Sequence, residues 1–102
     1  MREIDVTELE SVLASGAPLV DVREADEFAG GHVPGAVSIP LSEFVARVDE
    51  VPADATVYMI CAVGGRSGQA AEYLVARGVD AVNVAGGTMA WMQSGRAVDA
   101  GS

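Results

Sequence analysis

The sequence from Tyr58 to Ser67, YMICAVGGRS, places the only cysteine of the chain at the end of an apolar run and in front of a glycine-rich turn. Residues 57–60, VYMI, are apolar at every position, as expected of a central parallel strand that is covered on both faces. From Ser67 to Gly78, apolar residues recur at helical spacing. This stretch therefore predicts a strand, a tight turn and a helix in succession.

The same alternation of strand and helix extends along the rest of the 102 residues. Short apolar runs predict strands at 3–6, 18–23, 36–40, 56–61 and 81–86. Strands that alternate with helices favour a three-layer α/β fold, in which helices flank a mainly parallel sheet of four to five strands. We expect a single domain over residues 1–102, with a core at about 3–97 and a frayed C-terminal tail at 98–102.

Helix signals lie between the predicted strands. Thr7 and Glu10 form a T-x-x-E pattern, which is typical of a capping box at the start of a helix. Serine and threonine are favoured residues at the N-cap, the position that immediately precedes a helix. The other helices are accordingly expected to begin at Ser42, ending before Pro52, at Ser67 and, for a short last helix, at Thr88.

The charge of the chain restricts its partners. Fifteen acidic and six basic residues give a formal net charge of −9, which disfavours nucleic acid and anionic membrane surfaces. No apolar run approaches the ~20 residues that span a bilayer, and residues 1–10 lack an apolar signal core. One cysteine and one histidine make a zinc centre improbable. We therefore expect a cytoplasmic protein with a reduced thiol and without a metal or other cofactor.

The turn after Cys61 is suited to binding an anion. Gly64 and Gly65 permit a tight bend that points successive backbone N–H groups inward, at the positive end of the following helix. The same dipoles, together with Arg66, stabilise a thiolate. A buried inert cysteine is the alternative interpretation, but an inert strand end does not require this turn. The stretch favours an activated nucleophile for anionic reactants.

Three separated segments give the chain a resemblance to a known family. The C-x-x-G-x-R-S loop at Cys61–Ser67, DVREADEFAGGHVPGAVSIPL at 21–41 and NVAGGTMAW at 83–91 resemble a single-domain rhodanese over nearly the whole length. The resemblance implies a rhodanese fold and a sulfurtransferase activity. Cys61 would take a sulfane sulfur from a small anionic donor such as thiosulfate, or from a persulfide, and become a persulfide. The acceptor would be cyanide, a thiol or a protein, because the chain has no second cysteine.

The residues around Cys61 fit these steps. The backbone of the loop would hold the persulfide anion, and its members are Ala62, Val63, Gly64, Gly65, Arg66 and Ser67. Arg66 is expected either to brace the loop or to contact the substrate, and Ser67 to cap the helix. Asp21 and Arg23 are interpreted as a supporting ion pair at the same edge of the sheet.

Outside the loop we expect structural roles. His32 is interpreted as a hydrogen-bonding residue rather than a general base, and Glu27 as a helix-face or loop-bracing carboxylate. Trp91 is interpreted as a core residue or the lid of a satellite cluster, not as a substrate platform. Gly86 and Gly87 are expected to let a turn approach the loop closely.

Two other functions stay open from the sequence. A cysteine-dependent phosphatase also uses a thiolate in an N–H cradle, but its signature has five residues between cysteine and arginine, and this loop has four. A non-catalytic binding or regulatory module on the same fold needs no fast-reacting thiol. The loop also departs from common rhodanese loops, because apolar Ala62 stands where a basic residue often follows the cysteine. That change favours a less charged persulfide donor, or a protein partner, over doubly charged thiosulfate.

Overall fold

The centre of the protein is a five-stranded parallel sheet in a computed structural model that describes residues 1–102. The strands are β1 (Arg2–Ile4), β2 (Leu19–Asp21), β3 (Val37–Ser38), β4 (Val57–Ile60) and β5 (Ala81–Val84). Their order across the sheet is β1-β5-β4-β2-β3, and every neighbouring pair is parallel. The predicted α/β class and parallel sheet are confirmed. Strand β4, which carries Cys61 at its end, is the central one.

Four α-helices cover the two faces of the sheet. They are α1 (Val6–Ala14), α2 (Ala25–Ala29), α3 (Gly65–Ala76) and α4 (Gly87–Gln93). The apolar face of α3 packs on one side of the sheet, with Ala70, Ala71 and Leu74 in a core shared with Met59. Leu9 of α1 and Trp91 of α4 pack with Ile60 on the other side. Neighbouring residues of β4 thus face opposite cores, which explains why VYMI has no polar position.

The first helix begins two residues earlier than its sequence pattern suggested. Asp5, not Thr7, caps α1, because the Asp5 carboxylate accepts a hydrogen bond of 2.9 Å from the Glu8 backbone N–H. The Asp5 backbone N–H in turn donates to the Glu8 carboxylate at 3.4 Å. The capping box predicted for Thr7 and Glu10 is therefore formed by Asp5 and Glu8 instead.

The helix predicted from Ser42 does not form. Residues Leu41–Glu43 and Val48–Glu50 are separate short 3-10 turns. The Ser42 hydroxyl donates to the Glu24 carboxylate at 2.9 Å instead of capping a helix. Phe44 is buried in the core next to α3, so this tertiary contact holds the segment in place of a regular helix.

The C-terminal tail, predicted from the sequence to be frayed, has hydrogen bonds to the body of the protein in this structure. Asp99 and His32 exchange two backbone hydrogen bonds of 2.8 and 2.9 Å, and the Gly101 N–H donates to the Ala29 carbonyl at 2.8 Å. The Trp91 indole N–H donates to the Ala97 carbonyl at 2.8 Å. These bonds pair backbone groups beyond the last helix, and backbone pairing leaves no signal in side-chain patterning.

None of the helices has the length and apolar character required to cross a membrane.

Candidate active site

The Cys61 side chain lies at the carboxyl edge of the sheet, where strand β4 turns into helix α3. The residue is only 1% exposed, and α3 begins four positions later at Gly65. In open parallel sheets this edge is where ligands bind. The ends of β2 and β5 reach the same edge, so the turns after Asp21 and Val84 are brought next to the cysteine.

The glycine at position 64 makes the turn possible. Gly64 has φ +113°, which side chains rarely adopt, and precedes the first residue of α3. In this conformation its backbone N–H donates to the Cys61 sulfur at 3.1 Å. The turn therefore points a donor at the thiol, as the sequence predicted.

Ser67 contacts the thiol and does not cap the helix. Because α3 begins at Gly65, the Ser67 side chain is already inside the first turn and fully buried. Its hydroxyl oxygen lies 3.3 Å from the Cys61 sulfur and 2.6 Å from the Asn83 side-chain oxygen. One hydroxyl proton thus has two acceptors, so a thiolate on Cys61 competes with Asn83 for it.

The pKa of the Cys61 thiol is lowered from its ordinary value. Burial opposes this shift, because it disfavours the charged thiolate. Hydrogen bonds from the Ser67 hydroxyl and from the backbone N–H groups of Ser67, Gly64 and Val63 stabilise the thiolate and outweigh the burial. The site thus favours the nucleophilic form of the sulfur.

Asn83 supports the loop, a role that was not predicted from the sequence. Its side-chain N–H₂ donates to the Gly64 carbonyl at 3.1 Å and to the Glu3 carboxylate at 2.8 Å. Its oxygen accepts from Ser67, so one amide ties the turn, the helix and strand β1 together. A signal was present, because Asn83 is the only polar residue in AVNV, a strand whose four residues are all buried. A polar group at such a position requires partners.

A second glycine lets helix α4 approach the cysteine loop. A Cβ atom on Gly87 would lie 2.5 Å from the backbone oxygens of both Cys61 and Ala62. The close approach allows the Thr88 N–H to donate to the Cys61 carbonyl at 2.8 Å and the Met89 N–H to the Ala62 carbonyl at 3.0 Å. The expected close contact of this turn with the loop is confirmed.

The guanidinium of Arg66 is paired with a carboxylate of α2. Two of its nitrogens donate to the Glu27 oxygens at 2.7 and 2.9 Å, and both side chains are about one third exposed. The hydrogen bonds from Arg66 lower the pKa of Glu27 to about 2. Glu27 thus braces the loop, as expected, and the geometry of Arg66 is that of a brace.

Asp21 and Arg23 form a buried ion pair. The Arg23 guanidinium donates to both Asp21 oxygens at 2.9–3.1 Å and to the Gly31 carbonyl at 2.8 Å. Asp21 is fully buried and Arg23 is 6% exposed. Such a pair fixes the turn after β2, in agreement with the predicted ion pair.

His32 also has structural contacts. Its Nδ1 lies 2.8 Å from the Phe28 carbonyl oxygen, which only accepts, so Nδ1 is the protonated nitrogen. The His32 ring stacks on Phe28 with centroids 3.7 Å apart. No group of three or more histidine, cysteine or carboxylate side chains is placed to hold a metal ion.

Comparison with known proteins agrees with this arrangement. The family model of the rhodanese-like domain matches residues 5–94. The chain belongs to the rhodanese-like domain family.

Two curated relatives illustrate the similarity. A protein of Allochromatium vinosum named sulfurtransferase is 38% identical over 98 residues, covering 93% of this chain and 92% of the relative. The uncharacterised protein YqhL of Bacillus subtilis is 45% identical over 76 residues, which are 74% of this chain and 60% of that longer protein. The chain is therefore similar to a whole sulfurtransferase and to part of a larger protein.

The rhodanese fold is shared with a solved structure. The rhodanese-related protein of Thermoplasma volcanium superposes with a TM-score of 0.91 at 31% identity, covering 97% of this chain and 98% of that one. The two folds thus match over almost the whole of both chains.

Proposed function

We propose that the chain is a sulfurtransferase that carries a sulfane sulfur on Cys61. The observation that supports this most directly is the thiol itself, which receives the Gly64 N–H at 3.1 Å and faces the Ser67 hydroxyl at 3.3 Å. Family membership supports the same reaction class. The finer parts of the proposal are the donor, the acceptor and the role of each residue.

In the loading step, the Cys61 thiolate attacks the outer sulfur of a donor such as thiosulfate. The new bond joins the Cys61 sulfur to that outer sulfur, and the sulfur–sulfur bond of the donor breaks. Sulfite leaves with the bonding electron pair, and Cys61 becomes a persulfide. The backbone donors of residues 62–67 stabilise the negative charge on the added sulfur.

In the unloading step, an acceptor attacks the outer sulfur of the persulfide. A cyanide ion or an external thiolate forms the new bond, and Cys61 leaves as the thiolate that the loop stabilises. The chain has a single cysteine, so the attacking group comes from another molecule. In this scheme Arg66 braces the loop through Glu27, and Asp21 with Arg23 supports the neighbouring turn.

The mass of the intact protein after brief exposure to thiosulfate or a persulfide tests this function. We expect a gain of one sulfur atom that cyanide removes, and no gain in Cys61→Ser. A thiol that alkylates quickly but gains sulfur from no donor would contradict the proposal.

The alternative functions predict other results. A non-catalytic module is favoured if the thiol is unreactive and gains no sulfur. A phosphatase is expected to release phosphate from an aryl phosphate in a Cys61-dependent reaction. The four-residue spacing between Cys61 and Arg66, and the engagement of Arg66 by Glu27, argue against it.

A further inference from the structure

A cleft of about 310 Å³ opens directly beside the cysteine loop. We call it the α4 cleft, and it is lined by Arg23, Ala62, Thr88, Met89, Met92 and Gln93. The cleft is continuous with the loop, because two backbone hydrogen bonds join the start of α4 to the carbonyls of Cys61 and Ala62. Its volume lies in the range of small-molecule sites.

The α4 cleft offers mainly apolar contacts. The side chains of Met89 and Met92 are 51% and 42% exposed, and Val63, which follows the cleft residue Ala62 in the chain, is 61% exposed. Exposed large apolar side chains grouped at one place mark a binding surface more often than isolated ones do. Methionine is flexible and polarisable, so it adapts to organic groups and to sulfur.

The positive charges near the cleft are already paired with carboxylates. Arg23 and Arg66 bind Asp21 and Glu27 respectively. The chain has no lysine, and Arg77 is the one arginine without a carboxylate partner. Arg77 follows the far end of α3, about 18 Å along the helix from the loop. A doubly charged donor therefore finds no free cation at the site of a protein with net charge −9.

A buried hydroxyl in the wall of the cleft lacks a partner. Thr88 is 2% exposed, and its Oγ1 makes no hydrogen bond in the protein. Leaving a buried polar group unpaired costs about 1–3 kcal/mol, so such groups call for an explanation. A polar atom of a bound ligand would satisfy this hydroxyl.

We propose that the α4 cleft binds the organic group of a low-molecular-weight persulfide, and that Cys61 is loaded from such donors faster than from thiosulfate. The proposal rests on the sulfurtransferase function above and specifies its donor. The Cys61 thiolate attacks the outer sulfur of R–S–SH, the donor S–S bond breaks, and R–S⁻ leaves with the electron pair. The outer sulfur keeps its proton, and the step has no net oxidation or reduction.

Loading rates for a donor series test this inference. We compare kcat/KM for thiosulfate with that for freshly generated methyl, ethyl, propyl and butyl persulfides. Each buried methylene is expected to raise kcat/KM about three- to fourfold until the cleft is filled. A flat series, or thiosulfate as the best donor, would overturn the inference while leaving the sulfurtransferase function intact. Absence of Cys61-dependent loading by every donor would instead overturn both.

A charge introduced into the cleft gives a second test. Met89→Arg is expected to raise loading by thiosulfate and to lower loading by butyl persulfide, reversing the preference. Val75→Arg is the matched control, because Val75 is exposed near the far end of α3. Its replacement adds the same charge away from the cleft. The proposal would be contradicted if both variants changed the ratio of kcat/KM for thiosulfate to kcat/KM for butyl persulfide by the same factor.

The Thr88 hydroxyl is tested with a pair of donors of similar size. In the wild type, 2-hydroxyethyl persulfide places an oxygen where propyl persulfide has a methyl group. We expect the ratio of kcat/KM for 2-hydroxyethyl persulfide to that for propyl persulfide to fall about three- to tenfold in Thr88→Val. In Thr88→Ser the same ratio should be preserved. Thr88→Val removes an unpaired buried group, so its unfolding midpoint should be unchanged or higher. An unchanged donor ratio would show that the hydroxyl does not contact the donor.

Discussion

The reactivity of Cys61 depends on a few hydrogen bonds to its sulfur. The Gly64 N–H and the Ser67 hydroxyl lower the thiol pKa against the opposing effect of burial. Ser67 shares its proton with Asn83, which also bonds the Gly64 carbonyl. The thiol, the serine and the asparagine therefore act as one hydrogen-bonded group.

The pH dependence of alkylation measures this effect at Cys61. We expect the reaction of the wild type with iodoacetamide to reach half its maximal rate at a lower pH than the reaction of an unperturbed cysteine thiol does. Ser67→Ala should move that midpoint upward, because the largest stabilising contact to the thiolate is removed. Ser15→Ala makes the same change at the surface and should leave the midpoint in place. A midpoint insensitive to Ser67 would contradict the assigned cause.

Replacement of Asn83 tests its support of the loop. Asn83→Val removes three hydrogen bonds and leaves the buried Ser67 hydroxyl with the Cys61 sulfur as its remaining acceptor. We expect a loss of about 2 kcal/mol in the free energy of unfolding by urea. Glu3→Gln keeps Asn83 and an acceptor for it, and should cost less than about 0.5 kcal/mol. Equal losses in the two variants would show that the contacts to the loop contribute nothing.

At the scale of elements, the site is formed where the β4–α3 turn meets the start of α4. Helix α4 joins the turn through backbone hydrogen bonds to the carbonyls of Cys61 and Ala62, and Gly87 leaves room for that contact. The alternation of strands and helices could be predicted from apolar runs, because burial on both faces of β4 leaves a local pattern. Two of the predicted caps, Thr7 and Ser67, lie inside the first turn of their helices, since several residues near a helix start are competent to cap it.

Alanine substitutions at two glycines with positive φ distinguish the effect of close packing from that of backbone strain. Gly87 and Gly95 have φ of +58° and +79°, so alanine costs about 1–2 kcal/mol at either site through the left-handed conformation. Only at Gly87 would the new Cβ also clash, 2.5 Å from two backbone oxygens, whereas nothing lies within 4 Å of it at Gly95. We expect Gly87→Ala to lower the free energy of unfolding by clearly more than Gly95→Ala does, and to slow sulfur loading. Similar losses would mean that α4 moves away without cost.

At the scale of the whole molecule, ion pairs connect elements that are distant in sequence. Arg66 joins the cysteine loop to Glu27 on α2, and Arg2 joins the first strand to Asp80 before the last. Exposed pairs of this kind contribute about 0.2–1 kcal/mol each. Their main effect is to fix the position of one element against another.

The Glu27–Arg66 pair predicts a loss of stability in acid. The folded pKa of Glu27 is lowered from 4.5 to about 2, so the stabilisation is complete above pH 4.5 and is lost as the pH falls towards 2. Because the pair is one third exposed, we expect a contribution below about 1 kcal/mol. The difference in unfolding free energy between wild type and Glu27→Gln, measured from pH 6 to pH 2, should shrink over this window. A difference that stays constant would contradict the assignment.

The sequence by itself determined the α/β class, the positions of the strands and the strand–turn–helix unit around Cys61. These features are local, because strand burial, helical spacing and glycine turns act between near neighbours in the chain. Only the tertiary structure decided that Ser67 pairs with Asn83, Arg66 with Glu27 and Asn83 with Glu3, which are pairs of residues 16 to 80 positions apart. The α4 cleft and the bonding of the C-terminal tail have the same origin. Such contacts arise when distant segments meet at one edge of the sheet, and pairs of that kind leave no periodic pattern in the sequence.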